Sequence, residues 1–196
     1  MANINKPCGL RPIMNPYGNI QINCYKIVTG VAMYINSPVA LNANGYMQVA
    51  GANSANTIAG SAVGFLNGLY GPIDSDYGYL PANPANCDSS GYAHVLVADD
   101  PNQLFVAQES TDTTALTLTS VGAGVSFAYQ ATTGNTTTGI SNLVLRNDGV
   151  GTNTDQQLRL IKIWDKPDNT YGNNCKWIVK IANHQLAGER FASPLV

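Results

Sequence analysis

Asp99 and Asp100 are the only adjacent carboxylates in the chain, and they sit between two apolar runs in Ala93–Glu109, AHVLVADDPNQLFVAQE. Paired carboxyls are the machinery of glycoside hydrolysis, as acid and base or as acid and nucleophile. That chemistry holds them about 5 to 10 Å apart across a cleft, in unlike environments. Neighbours in a turn rarely face one cleft together. Asp100–Pro101–Asn102 instead has the makeup of a β-turn: proline presets φ, and the aspartate side chain accepts the backbone N–H two residues on. The stretch therefore reads as strand, tight turn, strand. Asp99, Asp100, Pro101 and Asn102 form a structural hairpin corner in this reading.

Other residue types capable of chemistry are scattered. Asp74 and Asp76, beside Tyr77 and Tyr79, suggest a cation or a sugar, but IDSDYGY matches a calcium loop only loosely. The two histidines, His94 and His184, stand in or just after strand-like runs and read as satisfied polar residues. No serine lies in a G-x-S-x-G elbow. The glycines of Val121–Val125 lack the Lys–Ser/Thr and the helix of a phosphate loop, and read as a strand bend. Tyr70, Tyr77 and Tyr79 offer a stacking surface for sugars or bases, with interface or core packing as the default. Cys8, Cys24, Cys87 and Cys175 match no zinc spacing. In a chain assembled in the cytosol they are expected to be free and buried. No cofactor or metal site is expected.

Composition narrows the classes. Charged residues are 11% of the chain, against roughly 25% in an average soluble protein. Asn alone outnumbers Lys and Arg together, and the net charge is −2. No run of Lys and Arg exists to neutralise phosphates, so direct nucleic-acid binding is not expected. No uninterrupted apolar stretch reaches the roughly 18 residues of a membrane span. The opening MANINKPCGLRP lacks the apolar run of a signal peptide, and Met1 argues against one already removed.

The elements that must position these residues are strands. Apolar residues recur at period two: Ile20, Ile22 and Cys24; Leu116 and Leu118; Val125, Phe127 and Tyr129; Trp177, Val179 and Ile181. No window sustains an amphipathic helix. Asn44–Gly45, Asn67–Gly68, Asp148–Gly149 and Pro167–Asp168–Asn169 supply turns. Leu80–Ser90 and Thr132–Gly139 read as exposed loops. The expected fold is all-β, antiparallel barrel or sandwich modules with little or no helix. An irregular arm covers residues 1–16, one β module 17–112 and a second 113–196, or the two modules form one domain. Three prolines keep the arm from a full strand ladder. Its Ile4, Leu10, Ile13 and Met14 suit either a partner's surface or the chain's own.

Four segments together resemble the head decoration (capsid cement) proteins of tailed bacteriophages. MANINKPCGLRP is similar to their opening Asn–Lys–Pro–x–Gly–Leu–Arg–Pro. Ala62–Phe65 (AVGF), Val97–Gln108 (VADDPNQLFVAQ) and Trp177–His184 (WIVKIANH) are similar to later segments, in the same order across nearly the whole chain. Cys8 departs from the pattern where an aromatic is usual, and Ala182 is inserted.

The resemblance implies a non-enzymatic, mostly β structural protein, made in the host cytoplasm and carried on the outer surface of the virion capsid. Its partners would be the major capsid protein and other copies of itself, as a homodimer or homotrimer. Its work would be to bridge capsomers. Contact residues are expected in the arm (Ile4, Pro7, Leu10, Arg11) and the apolar tail (Phe191, Leu195). A tail or surface adhesin that binds host glycans is the alternative. A small glycosidase using Asp99 or Asp100 ranks last.

Overall fold

The computed structural model describes residues 3–28, 30–52, 56–71, 78–82, 92–111, 114–148, 150–151 and 156–187. Its strands are β1 (Arg11–Met14), β2 (Ile22–Val28), β3 (Met33–Tyr34), β4 (Pro38–Leu41), β5 (Met47–Val49), β6 (Gly60–Leu66), β7 (Tyr79–Leu80), β8 (Tyr92–Ala98), β9 (Leu104–Glu109), β10 (Gly124–Val125), β11 (Phe127–Asn135), β12 (Ile140–Leu145), β13 (Leu158–Ile163) and β14 (Lys176–Ile181). Among the described residues the only helical element is a 3₁₀ turn, Leu118–Ser120. The protein is all-β, as its period-two patterning requires.

Five strands close a barrel in the order β2-β5-β4-β6-β8, and β2 pairs back onto β8. Ile27, Val39, Met47, Ala62, Val95 and Val97 fill it. The larger sheet runs β10-β13-β14-β9-β12-β11, with β1 also paired to β9. Phe105, Phe127, Leu143, Leu160, Trp177 and Val179 form its core, joined by Leu10, Ala40, Ala50 and Ile58 from the arm and the barrel side. Pairing is antiparallel except β2 with β5 and β12 with β9. A short β3–β7 ribbon lies against β11, where Gly134 leaves room for the Tyr34 ring: a Cβ there would stand 2.1 Å from the ring's Cγ.

Several expectations change. Ala93–Glu109 is not a hairpin: β8 pairs with β2 and β6 while β9 pairs with β14, β1 and β12. The turn at Asp99–Gln103 carries the chain from the barrel into the sheet, so β9 belongs to the second sheet although it precedes residue 113. In β2 the alternation is present but inverted. Ile22 and Cys24 face out, while Tyr25 and Ile27 pack on the barrel core with Val95. Leu116 and Leu118 do not share a strand; Leu116 is buried and Leu118 opens the 3₁₀ turn, exposed. The expected loop from Thr132 is strand as far as Asn135, after which a short turn leads into β12.

The arm packs on its own chain. Leu10 is fully buried, and its carbonyl accepts the Ser61 hydroxyl at 2.6 Å. The Lys6 N–H donates to Gln108 Oε1 at 2.8 Å, and the Asn3 amide donates to the Thr170 carbonyl at 2.8 Å. The prolines cut β1 to four residues with an irregular register between Pro12 and Met14.

Candidate functional site

The turn residues have two separate environments. Asp100 accepts the Asn102 N–H on Oδ1 (2.7 Å) while its carbonyl accepts the Gln103 N–H (2.9 Å), which closes the expected turn. Its Oδ2 accepts the Asn15 amide at 2.8 Å. Asp99 is buried at the barrel end of the turn, where the Asn23 amide (2.9 and 3.0 Å) and the Tyr25 hydroxyl both donate to it. Asn23 and Tyr25 alternate on β2 so that both reach the same carboxylate. Burial first, then the Asp99 contact, holds the Tyr25 hydroxyl protonated well above the usual tyrosine range. Both carboxylates are thus taken up in separate hydrogen-bond sets.

The histidines are held less completely than expected. His94 Nδ1 lies 3.1 Å from the Asn67 carbonyl, and its ring stacks on Tyr70 at 4.0 Å between centroids. His184 Nδ1 accepts the Leu186 N–H at 3.1 Å. In both rings Nε2 is buried and has no hydrogen-bond partner among the described residues. Burial pulls the His184 pKa below the usual imidazole value, against the pull of Asp99 and Asp100. Tyr79 stacks on Tyr34 at 4.9 Å. Tyr70 and Tyr79 are therefore occupied in separate ring pairs, and no joint stacking surface is formed by the two. Asp74, Asp76, Tyr77, Cys87, Phe191 and Leu195 lie outside the described residues. Among the described residues no three His, Cys, Asp or Glu gather as a metal site.

One buried acid escaped the sequence reading. Glu109, fully buried at the end of β9, accepts the Leu116 N–H on Oε1 (2.7 Å) and the Trp177 indole N–H on Oε2 (3.1 Å). Asn147 also donates to Oε1, at 3.4 Å. Burial raises its pKa above the ordinary carboxylate value, and these donors only partly oppose the shift. Cys175 is buried too, and its thiol is pushed up to about 12 by burial and by Glu109. Cys24 is exposed, contrary to expectation, and Cys8 is intermediate; all three are free thiols.

The sequence has no basic run, but the fold makes a basic face. On β14, Trp177, Val179 and Ile181 enter the core, so Lys176, Ile178 and Lys180 point outward. Register then sets three rows across the outer face. Arg159, Lys180, Leu104 and Met14 form one; Lys162, Ile178, Val106 and Arg11 form the next, with Ile178 and Val106 themselves buried. Trp164, Lys176 and Gln108 form the third, with the Trp164 N–H bonded to the Lys176 carbonyl at 2.9 Å. Arg11, Lys166 and Lys176 all stand over the Trp164 ring, at 5.1, 5.4 and 5.8 Å from its centroid. Clefts flank both ends. One, of about 500 Å³, is lined by Arg159, Lys180, Asn102 and His184; the other, of about 180 Å³, by Lys6, Ile4, Trp164 and Asp168. Seven of the chain's ten Lys and Arg residues lie on this face or in its clefts.

Of the expected contact residues, Arg11 lies on this face and Ile4, 74% exposed, lines its smaller cleft. Pro7 is half-buried in the arm, and Leu10 is core, with nothing left to offer a partner. The basic face was readable in part. Lys176 and Lys180 share a parity on one strand, and Arg159 and Lys162 on its neighbour differ by the bulge at Leu160–Lys162. Comparison with protein-family models, with curated proteins and with solved structures finds no match to the chain.

Proposed function

We propose that this chain is a structural virion protein that binds the outer surface of a phage capsid and stabilises contacts between capsomers. The observation that supports the reading is the meeting of its four resembling segments. Val97–Gln108 touches each of the others: Val97 pairs with Ala62, Val106 with Arg11 and Ala107 with Trp177. Segments spread along the chain thus build one seam between barrel and sheet. Such a shared seam is what a common scaffold demands of sequence. A scaffold of this kind presents faces, and repeated copies on a shell let modest contacts combine through effective concentration.

Electron microscopy of virions lacking the protein tests the reading. Heads are expected to assemble with normal tails and to rupture under milder heating or osmotic shock than wild-type heads. Tail-less particles, or heads of unchanged robustness, overturn it, and immunogold labelling of the tail would move the protein there.

A further inference from the structure

We infer that the outer face of β13, β14 and β1, centred on Trp164, is a docking surface for an acidic protein surface. The chain as a whole is weakly negative, at −2, yet gathers most of its cations here. Arg159 and Lys180 are directly opposed across the ladder, an arrangement of like charges that destabilises a sheet. Neither is neutralised by a described carboxylate. Lys180 Nζ donates to Asn102 Oδ1 at 2.9 Å and Arg159 to the Gly122 carbonyl at 3.2 Å, both neutral acceptors. Three cations crowd one indole, whose face attracts each of them while their like charges repel one another. The repulsion between like charges is relieved when carboxylates come down on the face.

The occupant is a protein rather than a nucleic acid for three reasons. Apolar groups lie beside the cations: Met14 is 50% exposed and Leu104 half-buried, while Ile178 beneath them is buried. That mixture of Arg, an aromatic ring and aliphatic groups is the makeup of a protein interface. Along β14 the cations run only from Lys176 to Lys180, four steps or about 13 Å at strand rise, too short to follow a phosphate backbone for more than a few charges. Asp168 lines the cleft at one end of the face and Asp100 braces the turn at the other. Those carboxylates repel a continuous polyanion but leave room for discrete Asp and Glu side chains between them. Identifying the partner as a capsid shell rests on the function proposed above; the acidic chemistry does not.

The test uses the full chain, its Lys162→Glu/Lys180→Glu variant and a Lys26→Glu control on the barrel, all matched by circular dichroism and thermal unfolding. If the double variant does not fold, Lys162→Gln/Lys180→Gln takes its place. The probes are a poly-L-glutamate peptide and a DNA duplex of equal charge at 50 mM NaCl, then empty expanded capsids in co-sedimentation. The peptide is expected to bind the wild type and the control alike, and the double variant at least about tenfold more weakly, since buried interfacial charges are the costly ones to remove. No peptide binding, equal binding by the double variant, or preference for the duplex overturns the proposal. Capsids that bind the wild type and double variant equally overturn this face and leave the capsid reading standing. Capsids that bind neither, with the peptide result intact, overturn the capsid reading alone.

Discussion

The Trp177 indole N–H donates to Glu109 Oε2 at 3.1 Å, joining β14 to the end of β9 inside the sheet core. Every hydrogen bond to this carboxylate comes from a donor: Trp177, Asn147 and the Leu116 N–H. Glu109→Gln turns one acceptor into an amide that meets a donor, and is expected to lose about 1–3 kcal/mol of stability. The loss depends on pH. Burial holds the wild-type carboxyl above its ordinary 4.5, so between 4.5 and the raised value the native chain binds more protons than the unfolded chain. Wild-type stability from this group therefore falls as pH rises through that window. The gap between wild type and Glu109→Gln should narrow from pH 4.5 toward 7 in urea unfolding. A gap that widens would place the carboxyl below its ordinary value.

Asp99 predicts a structural phenotype where its neighbour predicts a milder one. Asp99→Ala removes a buried acceptor from the half-buried Tyr25 hydroxyl and from the exposed Asn23 amide, a loss of about 1–3 kcal/mol carried mainly by Tyr25. Tyr25→Phe combined with it should show a coupling of about 1 kcal/mol in a double-mutant cycle. Additive effects would mean that the two groups do not act as a pair. Asp100→Ala removes turn contacts nearer the surface and is expected to lose about 1 kcal/mol.

Leu10 makes the arm part of the core. Leu10→Ala should destabilise by about 2–5 kcal/mol through the cavity it leaves. Deleting residues 1–12 should lower the thermal midpoint as well as remove Arg11 from the basic face. A truncated chain with an unchanged midpoint would show that the arm is dispensable to folding.

Single-cysteine variants should separate the thiols by reactivity. Cys24, exposed on the barrel, is expected to react with a thiol reagent at pH 8 within minutes. Cys175, buried with its thiol pushed up to about 12, should react only on unfolding. Native-state labelling of Cys175 at a rate near that of Cys24 would contradict its burial.

Much of this was legible in the residues. Alternation placed Trp177, Val179 and Ile181 together in the core, and the chemistry of Asp-Pro-Asn gave the turn at Asp100 with its side-chain acceptor. What local pattern could not give was partnership. A turn between two strands reads as a hairpin whether the strands pair with each other or part, and here β8 and β9 part. Nor does alternation say which parity turns inward: β2 directs Asn23 and the half-buried Tyr25 to Asp99, 74 residues beyond Tyr25. Glu109 was missed for the same reason, since its donors come from residues 116, 147 and 177. The basic face was dispersed over three stretches of chain, Lys6–Arg11, Arg159–Lys166 and Lys176–Lys180, until register aligned them.

The neighbours of β9 also set an order of events. The barrel has all its strands once residue 98 has been made, and its pairings can close while the rest of the chain is still on the ribosome. When β9 follows, it can find only β1; its other partners, β12 and β14, are synthesised later, the last of them beginning at Lys176. Until then one of its edges is open, and contacts of such long sequence separation form slowly. Premature termination after β9 and before β14 would therefore release a chain with a finished barrel and an unprotected strand edge. Such fragments are expected to aggregate instead of competing with the full-length protein for its binding sites.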